Sequence, residues 1–199
     1  MEFDFDRESK KPLVKKIVKE IIILGVEVAL VIALAYGIIQ FAVEKSAMIG
    51  SSMEVTLSDG DDVIINKISY YFHDPQRFDV VVFKQSGKEH SYYNIKRIIG
   101  LPGEIVQIKD GQVYINNERL DEPVNVDVME IGGLAEEPIT LEENEYFVLG
   151  DNRNNSEDSR FANIGNIVLQ DIVGKVWVKL EPFNFVNKIN MKQDNMNEE

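Results

Sequence analysis

The chain has no cysteine. That absence excludes disulfides, thiolate nucleophiles and most structural zinc sites together, and it leaves the redox compartment open. Histidine is scarce: His73 and His90 are the only 2, and they do not stand at metal-ligand spacing. Cations are outnumbered, 21 Lys and Arg against 34 Asp and Glu, for a formal net charge of −13. Phosphate binding wants clustered cations, so nucleic acid is a poor partner. The charge suits the solubility of an exposed domain. Two ligand loops also fail. Gly100-Leu101-Pro102-Gly103 is not followed by the Gly-Lys-Ser/Thr of a phosphate loop. A calcium loop starting at Asp151 would place Arg153 third, Ser156 sixth and Ala162 twelfth, where oxygen ligands and a glycine are needed. No internal repeat or low-complexity tract is present.

A long apolar run is present, from Ile21 to Val43, with Glu27 as its one charge. About 20 such residues span a bilayer core. The run is longer than the core of a secretory signal peptide, which predicts an uncleaved anchor. Lys10, Lys11, Lys15, Lys16 and Lys19 precede it, and only Glu44 and Lys45 follow closely. The positive-inside rule then puts the N-terminus in the cytoplasm and the remainder outside.

Beyond Val43 the pattern turns extended. Asp62–Ile65, Asp79–Phe83, Tyr92–Ile99, Glu145–Leu149 and Asp171–Leu180, which holds the single Trp177, read as strands. Glu104–Ile108 and Gln112–Ile115 flank Asp110-Gly111 and read as a hairpin with a tight turn. The expected fold is mainly β, a sandwich-like or barrel-like domain behind one transmembrane helix. The segments are a cytoplasmic stretch (1–20), the membrane helix (21–43), an extracytoplasmic catalytic domain (44–187) and a disordered polar tail (188–199). Asp121–Asn144 is acidic and irregular and reads as an insertion or surface extension.

Ser52 in Gly50-Ser51-Ser52-Met53 follows the apolar run closely, and Lys96 stands among Ile95, Ile98 and Ile99. A serine attacks a carbonyl only with a base beside it, and a lysine is that base only where it is held neutral. Apolar burial lowers a lysine's pKa in the required direction. Either residue alone is weak evidence: turn serines mostly bond locally, and strand lysines mostly face water.

Together with Gly150-Asp151-Asn152-Arg153-Asn154-Asn155-Ser156-Glu157-Asp158-Ser159-Arg160, these segments resemble the type I signal peptidases, in the single-span form typical of Gram-positive bacteria. The resemblance covers roughly residues 50–180. It implies a β-rich fold, no cofactor, and cleavage of signal peptides from exported preproteins at the plasma membrane, near the secretion translocon. By position it makes Ser52 the nucleophile and Lys96 the general base. Ser156 orients the lysine amine, and Met53 helps hold it in an apolar setting. Arg97 with Asp151 and Asp158 with Arg160 are structural charge pairs. The Ser52 backbone N–H is an oxyanion donor. Gly50 stands where some relatives carry a second, hydroxyl donor. The substrate would lie extended between Lys45–Ile49 and Tyr92–Ile95, meeting Ile49, Gly50, Tyr93 and Ile95.

The sequence departs from the family pattern in two places. Val55 replaces the usual proline, and a β-branched residue there is expected to stay extended. Phe161-Ala162-Asn163-Ile164-Gly165 replaces the usual Phe-Gly and leaves the exit of the loop open. Two rivals exist. An inactive paralogue that binds preproteins or assists surface assembly would be expected to lose the serine or the lysine. A self-cleaving repressor would carry a DNA-binding domain in place of the apolar run.

Overall fold

In the computed structural model of the chain, residues 6–84, 93–189 and 191–192 are described. His90 and Tyr92 lie outside them. The chain divides into two compact units, residues 1–42 and 43–199. The first is helix α1, Asp6–Ala42, whose segment Val14–Ala42 is long and apolar enough to cross a membrane. Leu24, Leu30, Val31, Ile32 and Leu34 are all exposed on it. A helix apolar on every side has no single face to bury in a core. The helix stops one residue short of the expected Val43, which instead opens the first strand.

The second unit is built from β1 (Val43–Ala47), β2 (Asp62–Asn66), β3 (Val80–Phe83), β4 (Asn94–Gly100), β5 (Ile105–Lys109), β6 (Gln112–Ile115), β7 (Glu118–Arg119), β8 (Ile139–Thr140), β9 (Glu145–Leu149), β10 (Ile167–Val168), β11 (Ile172–Lys179) and β12 (Asn184–Phe185). An 8-stranded sheet runs β1-β2-β11-β3-β4-β9-β10, with β12 added to β11, and a 4-stranded sheet runs β7-β6-β5-β8. The unit is mainly β, as the alternating patterns predict.

Turn chemistry explains the smaller sheet. Asp110 and Gly111 take φ of 50° and 70°, the left-handed pair that the Asp-Gly sequence favours between β5 and β6. Asn116 and Asn117, at 51° and 69°, repeat that geometry between β6 and β7. Asparagine tolerates the left-handed region better than most residues, which accounts for a strand that alternation did not reveal.

The polar tail starts later than residue 188. Ile189 packs on the core cluster that contains Met48, Met53 and Ile95. Met191 bridges to Val124, and the Lys192 N–H donates to the Pro123 carbonyl at 2.7 Å. The apolar side chain of Ile189 and the backbone bonds of Met191 and Lys192 hold this stretch down, and overall polarity gives no sign of them. The expected irregular stretch 121–144 likewise contains β8, paired with β5 through Ile105 and Val106.

Strand order brings distant motifs together. β4 lies between β3 and β9, with Lys96 opposite Val81 and Arg97 opposite Leu149. The residues just beyond Leu149 therefore emerge beside Lys96 and Arg97.

Candidate active site

Ser52 sits in the connection between β1 and β2. That connection is closed at its base by Met48 N–H to Asp61 O at 2.8 Å and Gly60 N–H to Met48 O at 2.9 Å. Met53 and Leu57 are fully buried, so the loop is anchored by its own apolar side chains beside a half-buried Ser52. Lys96 comes in from the middle of β4. Its Nζ lies 2.8 Å from Ser52 Oγ and donates to the Ile95 carbonyl at 3.2 Å. The lysine is 4% exposed. Burial pulls its pKa below the ordinary lysine value, against the opposing pull of Asp158, Glu157 and Asp151. The isoleucines around it are not one shell: Ile95 shares a cluster with Met53, whereas Ile98 and Ile99 belong to two other clusters.

Buried ion pairs frame this pair. Arg97 grips Asp151 through Nε to Oδ1 at 2.8 Å and Nη2 to Oδ2 at 2.6 Å, and its Nη1 donates to the Phe78 carbonyl at 2.9 Å. Thr56 Oγ1 donates to Asp151 Oδ2 at 2.6 Å, tying the serine loop to the same carboxylate. Arg160 grips Asp158 at 2.8 and 2.9 Å, and Asp158 Oδ2 accepts from the Gly150 N–H at 3.1 Å. Buried carboxylates and guanidiniums matched in this bidentate way satisfy each other's charge and fix direction. The structure thus brings Arg97 together with Asp151 and Arg160 with Asp158.

The third expected contact is different. Ser156 Oγ is buried and has no hydrogen-bond partner among the described residues. The hydroxyl occupies the space beside the Gly150 Cα instead of meeting Lys96. The exit after Arg160 closes as a turn: Ile164 and Gly165 N–H donate to the Phe161 carbonyl at 3.0 and 2.9 Å, with Gly165 at φ 64°.

Val55 is also not as expected. Its φ is 74°, in the left-handed region and not extended. The loop bonds Glu54 N–H to Ser51 O and Thr56 N–H to Met53 O wind residues 51–56 tightly, and this winding overrides the residue's preference.

A cleft of about 240 Å³ opens at the pair, lined by Ser46–Ile49, Ser52 and Tyr93–Lys96. Ile49, Tyr93 and Ile95 are thus in it; Gly50, at φ 83°, turns the chain next to it, and its N–H donates to Asp59 at 2.7 Å. β1 ends the strand order of its sheet, so one edge of it is unpaired among the described residues.

Several contacts had no signal in the sequence. Asn152 holds the serine loop through its N–H to Ser52 O at 3.1 Å and its Nδ2 to Ser51 O at 3.0 Å. Asn155 Nδ2 donates to Ser51 Oγ at 2.8 Å. Arg153 pairs with Glu122, an acid that no motif marks.

A mainly β domain here sets a serine hydroxyl, a group that can attack a carbonyl, against a buried lysine amine that can take its proton. Residues 21–180 match the signal peptidase family, peptidase S26, and the chain belongs to that family and to its enzyme class. A probable signal peptidase I-2 of Synechocystis is 39% identical over 165 residues, 80% of this chain and 72% of that protein. Signal peptidase I T of Bacillus subtilis is 36% identical over 169 residues, 80% of this chain and 85% of that protein. A crystal structure of a signal peptidase I from Enterococcus faecalis superposes with a TM-score of 0.40 at 31% identity, over 52% of this chain and 97% of that one.

Proposed function

We propose that the chain is a membrane-anchored serine endopeptidase that removes N-terminal signal peptides from exported preproteins through a Ser52–Lys96 acyl-enzyme mechanism. The observation that carries the reading is the 2.8 Å approach of Ser52 Oγ to the amine of a buried lysine. Neutral Lys96 accepts the Ser52 hydroxyl proton as Oγ attacks the scissile carbonyl carbon. The Ser52 N–H donates to the oxyanion that forms. Collapse breaks the C–N bond, and the lysine ammonium returns its proton to the departing amine. Lys96 then takes a proton from a water as it attacks the ester; the carbonyl C–Oγ bond breaks, and the lysine ammonium returns its proton to Ser52 Oγ. The unpaired edge of β1 facing the cleft supports binding of the substrate as an added strand, where backbone bonds give affinity and small pockets select side chains.

The partners of this reading are signal peptides and membrane lipid, beside the translocon. Residues 1–20 lie in the cytoplasm, the part of α1 from Ile21 onward crosses once, and the β unit works outside. An inactive paralogue is disfavoured by the retained serine and buried lysine, since burying an unused cation only costs stability.

Ser52→Ala and Lys96→Ala are each expected to abolish cleavage of a preprotein in reconstituted membranes while the far-ultraviolet spectrum is unchanged. Near-normal cleavage by either, free of wild type, removes the dyad. Protease added to intact protoplasts is expected to digest from Ser52 onward and spare residues 1–20. Protection of the β unit reverses the orientation.

A further inference from the structure

The acidic stretch that begins at Asp121 is tied to the loop following β9. Glu122 accepts from Arg153 Nη1 on Oε1 at 2.8 Å and from Nη2 on Oε2. The pair is out of water, with Glu122 8% and Arg153 2% exposed. The remaining Arg153 nitrogen, Nε, donates to the Gly150 carbonyl at 3.1 Å. Further along, Asn154 Nδ2 donates to Val128 O at 3.0 Å and its Oδ1 accepts from the Glu130 N–H at 2.9 Å. Arg160 donates to Ile131 O at 3.0 Å.

A buried ion pair is a poor device for stability alone, because desolvation offsets much of the attraction. Its planar fork does fix direction. Here Glu122 aims Arg153, and Arg153 holds Gly150. Gly150 packs on the Ser52 carbonyl and on Ser156 with no space for a Cβ. The path from Glu122 to the backbone of the nucleophile is therefore continuous, and Glu122, Arg153 and Gly150 are buried along it.

We propose that Glu122 is a positioning residue for the Ser52–Lys96 pair: through Arg153 it keeps Gly150, and with it the Ser52 backbone, in reactive register. The proposal rests on the reading of Ser52 as nucleophile and Lys96 as base. Glu122 itself touches no substrate.

The test is steady-state cleavage of a synthetic signal-peptide substrate by the full chain in detergent micelles. Glu122→Gln keeps the size and loses the charge. It is expected to lower kcat about tenfold or more while KM stays within about twofold. The acid limb of its pH profile is expected to stay in place, because the lysine remains buried. The exposed Glu137→Gln, in the same acidic stretch, is expected to match wild type. Where Glu122→Gln fails to fold, Glu122→Asp, which keeps the charge on a shorter arm, is expected to lower kcat about threefold or more at unchanged KM. Wild-type kcat in the folded variant, even with a lower melting temperature, overturns the proposal, as does a rise in KM at constant kcat. Ser52→Ala runs in parallel: cleavage that survives there sinks the nucleophile reading itself, whatever the Glu122 variants do.

Discussion

Gly150 lies against the carbonyl oxygen of Ser52 so closely that a Cβ on it would overlap that oxygen and the Ser156 hydroxyl. Gly150 is not among the positive-φ glycines, so the requirement is for space and not for an unusual backbone angle. The strand that pairs with the lysine strand thus delivers a side-chain-free residue onto the nucleophile.

Gly150→Ala is expected to fold and to lose about 100-fold in kcat, because a backbone oxygen cannot rotate away and the serine loop must shift. Kinetics on a synthetic signal peptide, with circular dichroism as the control for folding, check this. Wild-type kcat would mean that the loop tolerates displacement and that its register is unimportant.

Lys96 is held below the ordinary value of 10.5 first by burial. As a base it works deprotonated, so kcat/KM is expected to rise with pH and level off below 10.5. Stability follows the same lowering. Between the folded and unfolded pKa values the unfolded chain binds more protons, so the lysine's contribution to stability rises with pH across that window and reaches its ceiling near the unfolded value. Lys96→Met removes this dependence along with the activity. It is expected to melt above wild type at neutral pH, with the gap closing as pH approaches the unfolded value. Scanning calorimetry across pH decides; a variant that melts at or below wild type throughout would mean the lysine carries no burial cost.

Val55 holds φ 74° with its side chain 58% exposed. The strain of a β-branched residue there is of order 1–2 kcal/mol. Val55→Asn is expected to stabilise by about 1 kcal/mol in urea melts, since asparagine accepts that region. Val55→Pro, which restores the residue usual in the family, is expected to destabilise by about 2 kcal/mol or more, because proline is locked near −65°. A neutral proline variant would show that the loop is free to leave this conformation.

Much of the architecture was legible along the chain. The short β-branched and aromatic runs at Val80–Phe83 and Glu145–Leu149 and the alternation of Ile172–Lys179 announce strands. Asp110-Gly111 announces its turn because few residues accept that geometry. Asn116-Asn117 makes the same turn without announcing it, since paired asparagines also occur in many loops. Arg97 bonds to Asp151 and Arg160 to Asp158 in the folded chain. The bond from Ser156 to the lysine is absent, because a side-chain rotamer depends on what crowds it, and here Gly150 leaves the hydroxyl another place to rest.

The sequence by itself determined the apolar helix, the strands β2 to β6, β9 and β11, the tight turn and the residue types capable of the chemistry. All of these depend on neighbours within a few positions. Tertiary structure alone decided that Lys96 meets Ser52, that the Gly150 loop closes over that serine, and that Glu122 finds Arg153. Each is a contact between segments far apart in the chain, settled only once strand order and burial have brought those segments together. An acid in an irregular stretch carries no local mark of the arginine it neutralises, because burial is a property of the folded whole.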